Sequence, residues 1–368
     1  MFRTSRTILQ VGLFLLLFIG AANAQPHWAL QSVTGPSPRG FHGMVYDSCR
    51  GVVVLFGGTD TSQLFGDTWE WNGSAWSLRS TNGPGVRNGH AMAFDADRCR
   101  TVLFAGSPVS GPLLNDTWEW NGTIWEEKCT GGCTRPPTRH GAGMTYDSVH
   151  QVVVVFGGYS PGLLNDTWKW DGTTWTQVTT TTPPSPRSWT AMAYDAGSSR
   201  IVVYGGNLVP TTCGTNTNQT WELDLSTNPA TWTQITTTTQ PSPRHRAKMV
   251  YDAARARMVL FGGTDNCTTP YNDTWKYSAG TWTLVKADST PPARHAHDMG
   301  YDAARNEVLM FGGDLQPFAG SLVGDTWSLG SRGNAVPAVG TWGLAAMTLL
   351  LLCVGTVVAM RRADDEPL

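Results

Sequence analysis

Between residues 27 and 330 the chain writes one pattern of apolar and polar positions six times. Each unit opens on an arginine, Arg39, Arg87, Arg139, Arg187, Arg244 or Arg294, at spacings of 48, 52, 48, 57 and 50 residues. Five positions on stands Met44, Met92, Met144, Met192, Met249 or Met299, and two further an aromatic residue followed by Asp, as in Tyr46-Asp47 and Tyr301-Asp302. A largely β-branched run then ends in a small pair, such as Gly57-Gly58 or Ala105-Gly106. After a loop of variable length comes Asp-Thr-Trp, ending at Trp69, Trp118, Trp168, Trp275 and Trp327, with Gln219-Thr220-Trp221 in the fourth unit. A last tryptophan, Trp76, Trp125, Trp175, Trp232 or Trp282, begins the final segment of the first five units.

These short runs predict four strands per unit: a (His42 to Asp47 in the first), b (Val52 to Phe56), c (Thr68 to Trp71) and d (Trp76 to Arg79). Asn72-Gly73, Asn121-Gly122 and Asp171-Gly172 mark tight hairpins between c and d. A single sheet of this size cannot bury both faces, so a period near 50 predicts stacked blades in a six-bladed, all-β propeller. The sixth unit lacks a strand d, whereas Trp28 lies 11 residues before Arg39, the interval that separates Trp76 from Arg87. The N-terminal strand is therefore expected to complete the last blade and leave the ring no gap.

With Arg-x-x-His at Arg39 and Arg87, an apolar strand into Gly-Gly and a distant Trp, the repeat resembles the kelch family over about residues 27–330. It departs from common kelch in using Asp-Thr-Trp-x-Trp where many copies have a single Tyr or Val. The resemblance implies a propeller that binds or scaffolds.

The flanks read differently. Arg3 and Arg6, the apolar run Ile8 to Gly20 and Ala22-Asn23-Ala24 have the form of a secretory leader, residues 1–24. Residues 25–330 form the propeller and 331–336 a linker. In 337–362, the 19 uncharged residues Trp342 to Met360 precede Arg361-Arg362, enough for a transmembrane helix with 363–368 as a cytoplasmic tail. Val336-Pro337-Ala338-Val339, the apolar stretch and the Arg pair are similar to the IPTL-CTERM sorting signals, relatives of PEP-CTERM. That resemblance implies export in a Gram-negative bacterium, a membrane enzyme that processes the signal, and a protein anchored at the cell envelope or released from it.

Composition narrows the function. A net charge of −2 with only five lysines excludes a nucleic-acid footprint. Seven cysteines include Cys353 in the apolar tail; the other six fall in neighbouring loops and predict disulfides Cys49–Cys99, Cys129–Cys133 and Cys213–Cys267 in an exported chain. His295-Ala296-His297-Asp298 has the composition of a metal site, but His42, His90 and His297 share one repeat column, so neither a metal nor another cofactor is expected.

The 17 tryptophans look like a sugar-binding surface, yet 15 fill the repeat columns and Trp342 lies in the tail. Trp189 alone is left over, in a column with Phe41 and Arg246. Tyr159, Tyr271 and Phe318 are expected in the variable b–c loops. Together these six residues make the candidate ligand face, because rigid scaffolds carry function on their loops. Aromatic platforms with short polar neighbours suit a neutral glycan or a protein partner. No catalytic set is recognised. The copper site of galactose oxidase cannot be placed here, and Asp171-Gly172-Thr173-Thr174-Trp175 matches only half of a sialidase Asp-box. The reading is a monomeric, non-catalytic binding or scaffold module at the bacterial surface. The alternatives are a carbohydrate-active enzyme, sialidase-like or galactose-oxidase-like, on the same face, and a purely structural surface protein.

Overall fold

The computed structural model describes residues 26–209, 215–265, 270–316 and 320–331. They form one compact unit, Pro26–Ser331, made of six sheets with neighbouring strands in the order a, b, c, d. The expected leader, the linker from 332 onward, the C-terminal apolar segment, Cys213, Cys267 and Phe318 lie outside the described residues. Among the described residues no helix is long and apolar enough to cross a membrane.

The ring closes through its first strand. Pro26–Ser32 pairs antiparallel with Thr326–Ser331, setting Trp28 opposite Leu329, so the N-terminal strand supplies strand d of blade six. One blade differs from the expected four strands. Thr180–Thr181, from the loop leaving blade three, runs parallel to Ala230–Ile235 and gives blade four a short fifth strand. Strand b is buried on both faces, which is why Val53-Val54-Leu55-Phe56 and its counterparts are continuous apolar runs.

The repeat letters resolve into one network per blade. In blade one Arg39 is fully buried. It donates from Nε to the Ser37 carbonyl at 3.0 Å and from Nη1 to the Gly57 carbonyl at 3.0 Å. Nη1 and Nη2 then clasp Asp67 at 2.6 and 3.0 Å, and Asp67 also accepts the Trp69 indole N–H at 2.7 Å. The Phe65 ring lies 3.9 Å beneath the guanidinium. The same bidentate pair recurs at Arg87–Asp116, Arg139–Asp166, Arg244–Asp273 and Arg294–Asp325.

The threonine of Asp-Thr-Trp serves the next blade. Trp125 donates its indole N–H to Thr68, Trp175 to Thr117, and Trp282 to Thr220, each at 2.8 Å. Trp76 reaches Thr326 at 2.8 Å and Trp28 reaches Thr274 at 3.0 Å, so the closing strand makes the same bond as the others.

On the face of the a–b turns, strand-a tyrosines of blades one and six tie their blade to the turn before it. Tyr46 accepts the backbone N–H of Ala304 at 3.2 Å, and Tyr301 that of Ala254 at 3.0 Å. Blade two has Phe94 in this column and no hydroxyl to offer. There the Cys49–Cys99 disulfide joins the turns of blades one and two. Cys129–Cys133 closes a small loop between blades two and three, so both expected pairings within the described residues are present.

Blade four carries Gln219 in place of the aspartate, bound to Arg187 through one contact of 2.8 Å. Burial with no carboxylate beside it lowers Arg187 to about 10. Gln219→Asp should stabilise the protein by about 1 kcal/mol, whereas Asp67→Ala, which strands a buried charge, should cost about 3 kcal/mol or more. Chemical denaturation reads both, and a neutral Asp67→Ala would show that the carboxylate is dispensable.

Candidate binding face at the channel mouth

Two residues after each repeat arginine the chain turns through a left-handed residue: Phe41, Gly89, Gly141, Trp189, Arg246 and Ala296, all with φ between 54° and 61°. In that conformation the backbone N–H of each points sideways at the blade before it. Six hydrogen bonds of 2.7 to 3.3 Å result, Phe41 to Ala296, Gly89 to Phe41, Gly141 to Gly89, Trp189 to Gly141, Arg246 to Trp189 and Ala296 to Arg246. They make an unbroken collar round the axis on the face of the b–c and d–a loops.

Left-handed backbone costs a residue with a Cβ about 1 kcal/mol, so glycine is the cheap occupant. Three of the six positions nevertheless hold large side chains, and these converge. The Phe41 and Trp189 rings meet edge to face with centres 5.2 Å apart. The Arg246 guanidinium carbon lies 4.9 Å from the Phe41 ring centre and 5.5 Å from that of Trp189. The indole lies across two glycines: a Cβ on Gly141 would come within 2.7 Å of it, and one on Gly89 within 2.9 Å. Phe41, Trp189 and Arg246 are all half-buried, a plug with one side to solvent.

Of the remaining sequence candidates, Tyr159 joins this cluster and Tyr271 does not. Tyr159 is not in a loop, because strands b and c of blade three extend to Val152–Ser160 and Gly162–Trp170 and pair Tyr159 with Leu163. Its ring packs at a tilt of 48° against His140, with centres 5.4 Å apart, and the His140 ring centre lies 5.5 Å from that of Trp189. Tyr271 instead sits 4.0 Å beneath Arg244, the position Phe65 fills beneath Arg39, and so belongs to the arginine network. In the sequence nothing sets His140 apart, since His245 and His295 also follow a repeat arginine by one position.

The histidines of the tempting His-Ala-His-Asp run separate. His295 bonds the Gln316 carbonyl at 3.1 Å, and His297 packs edge-on against Phe261. His42 packs likewise on Phe311 and His90 on Phe56, each across a blade seam. Asp298 turns away from them toward Lys248, with which it makes an ion pair of 3.0 Å that the repeat pattern gave no reason to expect. Among the described residues no three His, Cys, Asp or Glu are grouped to hold a metal ion.

A family model described as the KLHDC2/KLHL20/DRC7 Kelch-repeats domain matches residues 121–313. No curated protein matches the sequence. Among solved structures the chain is similar to the one titled "Structure of YjhT", at 14% identity over 80% of this chain and 96% of that one, with a TM-score of 0.62. At that identity the likeness concerns the fold alone.

Burial holds the seam imidazoles neutral: it pushes His42 and His297 well below the ordinary histidine range and His90 down to about 3. In the unfolded chain they titrate near 6.5, so the unfolded state binds more protons once pH drops below that value. Stability is therefore lost as pH falls from about 6.5 toward 3, with a slope of about 1.4 kcal/mol per pH unit for each such histidine. His90→Ala, which copies Ala142 and Ala247 of the same column, should lower the slope between pH 6 and 4.5 by that amount in urea denaturation. An unchanged slope would mean that His90 protonates as readily folded as unfolded.

Proposed function

The chain belongs to the KLHDC2/KLHL20/DRC7 kelch-repeats family, and on that footing we propose that it is a non-catalytic binding module whose ligand, a neutral glycan or a protein segment, docks on the Phe41–Trp189–Arg246 plug. The observation that carries this is the cost accepted at the collar. Six equivalent positions demand left-handed backbone, and three of them hold large side chains gathered at one mouth. A purely structural ring would have used small residues, as blades two, three and six do with Gly89, Gly141 and Ala296. An indole whose underside rests on glycine offers its other face for stacking against a sugar ring or an apolar side chain.

Glycan-array or envelope pull-down hits should be lost on Trp189→Ala and weakened at least ~10-fold by Gly141→Ala, whose new methyl displaces the indole. Undiminished binding by both variants would move the site elsewhere. Turnover of a glycan by the purified protein, abolished by one acidic or histidine substitution, would replace the binding role with an enzymatic one.

We further propose that the module works outside the cell, held by the apolar segment 342–360 until a membrane sorting enzyme processes it. The leader-like start, the uncharged segment and the Arg361-Arg362 pair support this topology. In a Gram-negative host the full chain should fractionate with the envelope, and deletion of 342–360 should release it. A cytosolic full-length protein would overturn the assignment.

A further inference from the structure

Beneath the collar the six innermost strands enclose a channel of about 400 Å³, a volume typical of a small-molecule site. The six repeat methionines line it, and Ala96 and Ala196 of the a–b turns stand at its far end, beyond the ring of strand-a aromatics. A smaller cavity ringed by all six collar residues adjoins it toward the loop face and shares Ala142, Thr190 and Lys248 with its lining. From there the channel runs toward the face of the a–b turns, opposite the plug.

One level of this pocket breaks the repeat. Four blades contribute Gly43, Ala91, Gly143 and Ala191, while blades five and six contribute Lys248 and Asp298. In blades one and three the next blade crowds this level: a Cβ on Gly43 would come within 2.4 Å of the Met92 sulfur, and one on Gly143 within 2.8 Å of the Met192 sulfur. The two exceptions pair with each other, Lys248 Nζ to Asp298 Oδ2 at 3.0 Å. Asp298 is buried and also accepts the backbone N–H groups of Met299 at 2.7 Å and Met44 at 3.1 Å, so its oxygens are occupied. The Lys248 side chain stays 40% exposed. An ammonium has three donors, and Asp298 takes one.

We propose that the channel is a second ligand site, entered from the face of the a–b turns, for an uncharged molecule with an aromatic or apolar body and one acceptor oxygen that Lys248 hydrogen-bonds. Its chemistry follows from the lining. Thioethers adapt to an apolar body and favour aromatic edges. The ion pair already cancels its own charge, so a carboxylate ligand would bring an unbalanced charge into a low-dielectric channel. A hydrocarbon would desolvate the ammonium and give nothing back. A ketone or phenol oxygen meets the spare donor at no such penalty.

Acetophenone and ethylbenzene, alike in shape and different in one oxygen, test this on the full chain labelled with ¹³C-methyl methionine. Acetophenone should shift the methyl signals of the six channel methionines and leave those of Met258 and Met310, buried in strand b, in place. Ethylbenzene should bind about 10-fold more weakly, because it leaves the donor unpaired. Lys248→Ala with Asp298→Ala restores small residues at all six positions and should bring the two probes within about 2-fold of each other. The comparison of the two probes on the unaltered protein stands even if that variant folds poorly. The proposal fails if no channel methionine moves at the solubility limit of acetophenone, if both probes bind the unaltered protein equally, or if the well-folded variant keeps the preference. It fails as well if the only saturable shift is at the Trp189 indole N–H, which would place the probe on the loop face.

Discussion

Each blade is built round one guanidinium that has been taken out of water. Burying an arginine is tolerable only when its donors are received, and in blade one a loop carbonyl, the carbonyl at the end of strand b and a carboxylate at the start of strand c receive four of the five. Three chain segments that are distant in sequence are thereby fixed at one point. The variable b–c loops can change length because this clasp, and not the loop, sets where strand c begins. Blade four shows the clasp at its weakest, where Gln219 holds Arg187 without a balancing charge.

The ring depends on a second set of bonds, made between blades. Indole N–H to threonine near the rim, tyrosine hydroxyl to backbone at one face and the closed collar at the other join neighbouring sheets at three radii. Five of the six seams repeat this indole–threonine bond, Trp232 and Thr167 alone leaving it unmade, so the closing strand at Trp28 needs no special device and uses the bond its neighbours use. At the seam where Phe94 removes the hydroxyl, a disulfide joins the two turns instead. Apolar packing fills what lies between, with methionine and strand-b residues of one blade against those of the next.

Both functional readings come from places where the repeat is not obeyed. Symmetry makes the collar and the channel wall equivalent in every blade, so a departure there has no structural motive supplied by the ring itself. Phe41, Trp189 and Arg246 crowd one end of the axis, and Lys248 with Asp298 charge the interior below it. The proposed sites lie on the loop face and in the channel beneath the collar.

The period, the four strands per unit, the closure by Trp28 and the cysteine pairings within the described residues could be read from the chain, because each is a matter of spacing along it. The three residues of the plug were legible too, since alignment of the six copies puts them in one column. Tyr271 lies between strands b and c as expected, but a repeat with variable loops hides that it fills the position of Phe65 under an arginine. Tyr159 was read as a loop residue because two strand extensions depend on cross-strand pairing that no local pattern announces. Which letters bond to which, Asp to the arginine and Thr to the following blade, was settled by the stacking of the sheets. The Lys248–Asp298 pair, and the channel that the six strand-a methionines line, were likewise decided only in three dimensions. Residues 50 apart meet there because a ring brings equal positions of adjacent blades to a common axis, and a sequence records position without recording that axis.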